Sequence, residues 1–275
     1  HTRSGCDWSS YVCSSDLHGS LGDLIQANGA IKDIKKFYVN RKVFLLTAQQ
    51  YAIFMSECPY LDGVIIDKRL PRWNLFYLKT LKNNLAKYGF TKIYDLQNSS
   101  RTKFYKRFIL KNAEWSSTET SLEPGQKKSD FDKDPVLDRM EIQLKKSCIQ
   151  TEFVKNIDLN WAISDISRLK KQYANNDYIL LFPFCSKKLP QKKWPFFKDL
   201  MSRLKQDYKN KYPILLAPGP DEIDEAHELN ARVVLDNNQP INIKTLVSLI
   251  SNAKFIIAND TGPAHIASQI GRAHV

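Results

Sequence analysis

Short apolar runs alternate with stretches of helical periodicity along most of this chain. Leu24, Ala27, Ile31, Ile34 and Tyr38 recur at spacings of three and four, one apolar helix face, and Ser20-Leu21-Gly22-Asp23 stands at its start. The pattern predicts strands at 43–47, 64–66 and 92–96, and helices at 51–56, 75–88 and 101–110, the 75–88 helix being basic and amphipathic. Strand–helix alternation of this kind argues for α/β architecture with a parallel sheet.

Residues 116–134 break the alternation. Ser, Thr, Glu, Lys and Asp dominate there, with Pro124-Gly125 in the middle, and the composition predicts a mobile loop. A helix followed by a strand is expected over 140–156, and a linker with a helix over 160–173. A second series then begins. Strands are predicted at 178–183, 212–217, 232–235 and 254–258 and helices at 221–230 and 243–251. Another helix is marked by Trp194, Phe197, Leu200, Met201 and Leu204 and expected to open at Pro195, a favoured first-turn residue. This is a half-Rossmann progression. The expected organisation is two α/β units, residues 18–160 and 161–269, facing a cleft.

The ends stand apart from this picture. Asp7-Trp8-Ser9-Ser10-Tyr11-Val12-Cys13-Ser14-Ser15-Asp16-Leu17 resembles a translated sequencing adapter, and Ile270-Gly271-Arg272-Ala273-His274-Val275 resembles the same adapter read on the opposite strand. Residues 1–17 and 270–275 are therefore set aside from functional reasoning. The rest is expected to be an open fragment, lacking a strand before His18 and further chain after Gln269, so that its C-terminal domain is incomplete.

Composition narrows the partners. The net charge of +12 favours anionic ones: nucleic acid, anionic lipid or phosphorylated substrates. Lysines are spread through the chain rather than concentrated with aromatics, which weighs against a nucleic-acid binder. No run of eighteen apolar residues predicts a membrane span. Cys58, Cys148 and Cys185 are far apart and odd in number, which fits reduced thiols in the cytosol.

No dinucleotide fingerprint follows a strand, and no P-loop, zincin or nucleophile-elbow motif occurs. The chain offers anion-binding turns at strand ends instead. Asn259-Asp260-Thr261-Gly262-Pro263-Ala264-His265 joins a strand to a helix start, where free N–H groups and a positive dipole end suit phosphate. The same residues also read as an ordinary helix cap. Lys192-Lys193-Trp194-Pro195 follows the 178–183 strand on a polar loop that includes Ser186. A lysine just before a helix start is unfavourable for the dipole unless an anion joins it. Asp23 opens the first helix, either as a cap or as a base for a hydroxyl. The Asp130, Asp132 and Asp134 cluster lies in a polar run with no strand before it, and no metal site is expected there.

Taken in order, these residues carry a resemblance. Gly22-Asp23, then Asp95-Leu96-Gln97 with Arg101, then Lys192-Lys193-Trp194-Pro195, then 259–267 are similar to the motifs of the ADP-heptose:lipopolysaccharide heptosyltransferases, glycosyltransferase family 9. The resemblance runs from about His18 to Gln269. It implies a GT-B fold, α/β with two Rossmann-like domains facing a cleft. It implies inverting transfer of heptose from ADP-heptose to a lipopolysaccharide inner core, without metal or cofactor, in the cytoplasm and peripherally on the inner face of the inner membrane. Asp23 matches the base. Lys192, Thr261, Gly262, Asp260 and His265 match phosphate and sugar contacts, and Asp221 or Glu222 falls where an acidic residue holds the ribose. Gln97, Arg101 and Lys103 are candidates for the anionic acceptor, with Lys106 and Arg107 on the same basic helix. Another nucleotide sugar on the same fold would share every motif. A non-enzymatic nucleic-acid binder is the remaining alternative.

Overall fold

The computed structural model describes residues 11–17, 20–174, 177–187, 189–209 and 211–271. The chain divides into two compact units, 1–157 and 158–275, so the boundary falls at Ile157/Asp158 rather than after residue 160.

In the first unit, α1 (Leu21–Phe37), β2 (Val43–Ala48), α2 (Gln49–Ser56), β3 (Gly63–Asp67), α3 (Leu75–Ala86), β4 (Phe90–Asp95) and α4 (Ser100–Phe108) follow the expected alternation. The sheet is parallel with strand order β3-β2-β1-β4-β5. Its central strand, β1, is Tyr11–Leu17, paired with β2 on one side and β4 on the other. Of residues 1–17, set aside above, Tyr11–Leu17 thus takes part in the sheet. The slot between β2 and β4 is filled by backbone hydrogen bonds, which demand little of side chains beyond an apolar residue such as the fully buried Val12. The rest of the adapter-like ends, residues 1–10 and 272–275, lies outside the described residues.

Both faces of this sheet are covered, as a parallel sheet requires. On one face α3 and α4 pack Tyr77, Leu81, Leu85, Tyr105 and Ile109 onto Leu46, Ile65, Phe90 and Ile93. On the other, the Tyr94 hydroxyl shares a hydrogen bond of 2.9 Å with that of Tyr38, at the end of α1.

Residues 116–134 are not a bare loop. β5 (Glu114–Ser116), α5 (Thr118–Ser121) and α6 (Lys128–Phe131) occupy the stretch. Its hydroxyls bond locally: the Thr120 and Ser121 hydroxyls both donate to the Ser117 carbonyl. Phe131 is buried and anchors the segment. The Asp130 and Asp132 carboxylates pair with Lys133, Lys128 and Arg139.

α7 (Val136–Lys146) supplies the expected helix, but no strand follows it. Asp33, buried on α1, takes up that backbone instead. Its carboxylate accepts hydrogen bonds from the successive amides of Glu152, Phe153 and Val154 at 2.9–3.1 Å. An N–H aimed at one side-chain carboxylate is not available to a neighbouring strand. Charge-assisted bonds of this kind are worth about 1.5–3 kcal/mol each. Gly29 lets the segment come close, because a Cβ there would sit 2.0 Å from the Phe153 carbonyl oxygen.

The second unit opens with a 3-10 turn at Asn160–Ala162 and α8 (Ser167–Tyr173). It continues through β6 (Ile179–Phe182), α9 (Phe197–Asp207), β7 (Ile214–Leu216), α10 (Ile223–His227) and β8 (Arg232–Val233). After the hairpin β9 (Leu235–Asp236) and β10 (Gln239–Pro240) come α11 (Ile243–Asn252), β11 (Phe255–Ala258) and α12 (Gly262–Gln269). The main sheet is parallel with order β11-β6-β7-β8. The single strand expected at 232–235 is split. β8 pairs with β7, whereas β9 turns back onto β10 through Asn237 and Asn238, both at positive φ (49° and 62°). Asparagine tolerates that region better than most residues.

Candidate functional site

Open α/β sheets bind ligands at the carboxyl ends of strands where the order reverses. In the second unit that point lies between β6 and β11, the loops after which carry the Lys192 and Asp260 motifs. Asn259, buried at the end of β11, ties the two loops together. Its amide nitrogen donates to the carbonyls of Pro183 (2.9 Å) and Phe184 (3.2 Å), and its side-chain oxygen accepts from the Trp194 amide (3.1 Å). In the sequence Asn259 stands within the motif with no role of its own. Its only signal was its place between an apolar strand and the Asp260 turn.

This staple fixes the neighbourhood of Lys192, which ends a 3-10 turn at Pro190–Lys192. The Lys192 ammonium lies 2.5 Å from Asp260 Oδ2, and His265 Nε2 lies 3.7 Å from Oδ1 of the same carboxylate. The Lys192 ammonium holds the Asp260 carboxyl below its ordinary range, against a smaller opposing effect of burial and with help from His265. Thr261, not Asp260, is the N-cap of α12, and its hydroxyl bonds the Asn259 carbonyl rather than the helix. Pro263 has no N–H. The Gly262 and Ala264 amides are left without a partner among the described residues. One cation, two amides and a helix N-terminus therefore meet at a single strand end, the ingredients of a phosphate site.

α9 begins at Phe197 and not at Pro195. The Trp194 amide is committed to Asn259, and Lys193 is extended, so the chain enters the helix two residues later than the proline suggests. Lys193 pairs with Glu225 of α10. Of the other expected donor contacts, Ser186 and Asp221 are exposed, whereas Glu222 is half-buried and accepts from the Gly219 amide at 2.8 Å. Burial raises the Glu222 carboxyl, the Gly219 amide lowers it, and the neighbouring Glu225 and Asp221 raise it further.

In the first unit the strand order reverses between β2 and β4, at β1. α1 begins there, and Asp23 sits in its first turn. Asp23 completes a capping box with Ser20: Oδ2 accepts from the Ser20 amide (2.6 Å) and hydroxyl (3.2 Å). Capping and base readings thus fall on the same carboxylate, and both of these bonds use one oxygen.

The acceptor candidates follow β4. The Gln97 amide donates to Asp95 Oδ1 (3.2 Å), and Lys103 pairs with Glu119 (2.8 Å). Arg101 points into the structure, donating to the Tyr105 hydroxyl (2.8 Å) and to the carbonyls of Leu70 (3.0 Å) and Arg69 (3.3 Å). It holds the 69–70 backbone. Asp67, which no sequence motif marks, is fully buried and accepts from the hydroxyls of Tyr77 and Tyr105 and from the Arg69 amide.

Asp95 is also buried, and burial pushes its carboxyl up to about 6 from an ordinary 3.8. The Thr102 hydroxyl and the Asn98 and Gln97 amides pull it back down. The folded value lies above the unfolded one, so ionised Asp95 costs stability. That cost is fully present above pH 6 and is gone below about pH 4. Asp95→Asn keeps an acceptor for both amides without the charge. It is expected to stabilise the protein by up to about 3 kcal/mol at pH 8 and hardly at all at pH 4. Thermal melts at the two pH values check this; an equal change at both would contradict it.

The family model of glycosyltransferase family 9 (heptosyltransferase) matches residues 80–275. No curated protein matches the sequence. The E. coli heptosyltransferase WaaC with ADP-2-deoxy-2-fluoro heptose is similar with TM-score 0.68 and 16% identity, over 95% of this chain and 86% of that one. The glycosyl transferase family 9 protein of Veillonella parvula DSM 2008 gives 0.72 and 14%, over 97% and 80%. The E. coli ADP-heptose lps heptosyltransferase II gives 0.67 and 16%, over 95% and 82%. Likeness at such identity speaks for the fold, which is GT-B, and the matched span of the family model includes both Lys192 and the Asp260 turn. The chain belongs to glycosyltransferase family 9, the heptosyltransferase family, and is a glycosyltransferase.

Proposed function

We propose that this enzyme transfers heptose from ADP-heptose, with inversion and without a metal, to the inner core of a lipopolysaccharide acceptor. It would act in the cytoplasm, peripherally on the inner face of the inner membrane. The observation that carries the donor half is the Lys192 ammonium held on Asp260, with the Gly262 and Ala264 amides of the α12 start that follows without a partner among the described residues. Two solved structures similar to this chain, both of E. coli WaaC, hold ADP and ADP-2-deoxy-2-fluoro heptose.

In this reading the diphosphate lies on the α12 N-terminus, with Lys192 as its cation. Glu222 or Asp221 takes the ribose hydroxyls. Asp260 and His265 face the sugar end. The bond between the anomeric carbon and the phosphate oxygen breaks, and negative charge grows on the departing ADP. Preorganised N–H groups and the ammonium stabilise that charge more in the transition state than in the ground state. The acceptor hydroxyl forms the new glycosidic bond from the opposite face and gives its proton to Asp23. Gln97 and Lys103 would bind the anionic acceptor, while Arg101 shapes the loop beside them.

Lys192→Ala is expected to weaken ADP binding by about 10- to 100-fold, the size of a charge-assisted hydrogen bond. Calorimetry with ADP checks it, and unchanged affinity would remove Lys192 from the phosphate role. A donor screen over ADP-, GDP- and UDP-sugars tests the sugar. Turnover with ADP-heptose supports the reading; turnover only with another donor replaces it.

A further inference from the structure

The segment joining β3 to α3 and the first turn of α3 present their largest apolar side chains to solvent. Trp73 is 82% exposed, Leu75 75% and Phe76 83%, and Leu70 is exposed beside them. Solvated aromatics this close together are unusual and mark surfaces that meet something. α3 buries Tyr77, Leu81 and Leu85, so the helical period puts Leu75, Phe76, Lys79 and Lys82 on its outward side.

The same stretch is strongly basic. From Lys68 to Ala113 there are twelve Lys and Arg residues and one acidic residue, Asp95, which is buried. Lys68, Arg69, Arg72, Lys79 and Lys82 lie exposed around the aromatic group. The presentation is built rather than slack. Asp67 fixes the Arg69 amide, Arg101 holds the carbonyls of Arg69 and Leu70, Arg72 reaches the Ser100 carbonyl (3.4 Å), and Asn74 caps α3 through the Tyr77 amide (3.0 Å).

We propose that Trp73, Leu75 and Phe76, rimmed by Lys68, Arg72, Lys79 and Lys82, form a surface that docks on an anionic lipid bilayer. A tryptophan and a phenylalanine beside lysines suit the boundary between headgroups and acyl chains. The rings enter the interface, and the ammonium groups stay with the phosphates on flexible stems. Charge complementarity selects this occupant: a soluble apolar peptide would leave the basic rim unmatched. Among the described residues no helix is long and apolar enough to cross a membrane. The inference deepens the proposed function by naming how the enzyme reaches a lipid-linked acceptor, and it rests on that reading only for the acceptor.

The test is co-sedimentation of the whole chain with phosphatidylcholine vesicles and with equimolar phosphatidylcholine–phosphatidylglycerol vesicles, at low and high salt. Binding is expected to the anionic vesicles alone and to weaken with salt. Trp73→Ser with Phe76→Ser should lower it by about tenfold or more. Lys79→Gln and Lys82→Gln should each cost about fivefold. Thermal melts guard against unfolding, which these exposed positions should not cause. ADP affinity, measured in parallel, should be unchanged in all variants, so loss of vesicle binding is separable from failure of the donor site. Equal binding to both vesicle types overturns the proposal, as does full binding by the aromatic double variant. A self-association in sedimentation that the double variant abolishes, without vesicle binding, would assign the surface to a second copy instead.

Discussion

Asp23→Asn is expected to lower the rate of glycosyl transfer by about 10²- to 10⁴-fold, the usual contribution of a positioned general base. ADP affinity should stay within about twofold, because the proposed diphosphate contacts all belong to the second unit. The prediction is informative because Asp23 has a structural task as well. Its Oδ2 takes the Ser20 amide and hydroxyl, and a lost cap costs about 0.5–2 kcal/mol. Asparagine keeps an acceptor oxygen and most of that cap but cannot accept a proton near neutral pH. A base and a cap therefore separate cleanly: turnover collapses while the melting temperature moves little. Near-full turnover by Asp23→Asn would leave the residue with its capping role alone. Ser20→Ala supplies the converse, a weakened cap with the carboxylate retained, and should reduce stability more than turnover.

Gly29→Ala is expected to destabilise the protein by about 3–5 kcal/mol or more and to lower its melting temperature by roughly 10 °C. The added Cβ would meet the Phe153 carbonyl oxygen at 2.0 Å, its carbon at 2.7 Å and the Val154 Cα at 3.0 Å. All three are backbone atoms, so no side chain can rotate away. The same backbone carries the three amides that Asp33 binds, and moving it would strain those bonds together. An alanine is normally the better helix former, by about 1 kcal/mol, and a surface glycine so replaced would stabilise. The sign of the measured change therefore decides between close backbone packing and ordinary propensity. Urea or thermal unfolding of the variant gives it directly.

Much of the fold was legible as pattern. Leu24, Ala27, Ile31 and Ile34 are buried on α1, and the strands at 43–47, 64–66, 92–96, 178–183 and 254–258 lie within a residue or two of β2, β3, β4, β6 and β11. The turn after β11 was legible as geometry: a strand end, an Asp, a Gly and a helix start in sequence. Where expectation and structure part, a contact distant in the sequence is responsible. Residues 116–134 look solvated, yet Phe131 is buried and Gln143, on α7, donates to the Ser116 carbonyl. A strand is expected after the helix within 140–156, yet Asp33, more than a hundred residues earlier, takes the amides of Glu152, Phe153 and Val154. Arg101 looks like an anion contact, and it also donates to two carbonyls thirty or so residues before it, which no local pattern announces.

The sequence by itself determined the α/β class, the succession of elements and the family, because periodicity and short motifs are local properties of the chain. Tertiary structure decided which strands are neighbours, including the central place of Tyr11–Leu17, since pairing runs through backbone groups common to nearly all residues. It also decided which charged groups meet. Lys192 and Asp260, sixty-eight positions apart, meet because β6 and β11 are adjacent and Asn259 staples their loops. That meeting is a property of the sheet order, and no local stretch of the chain contains it.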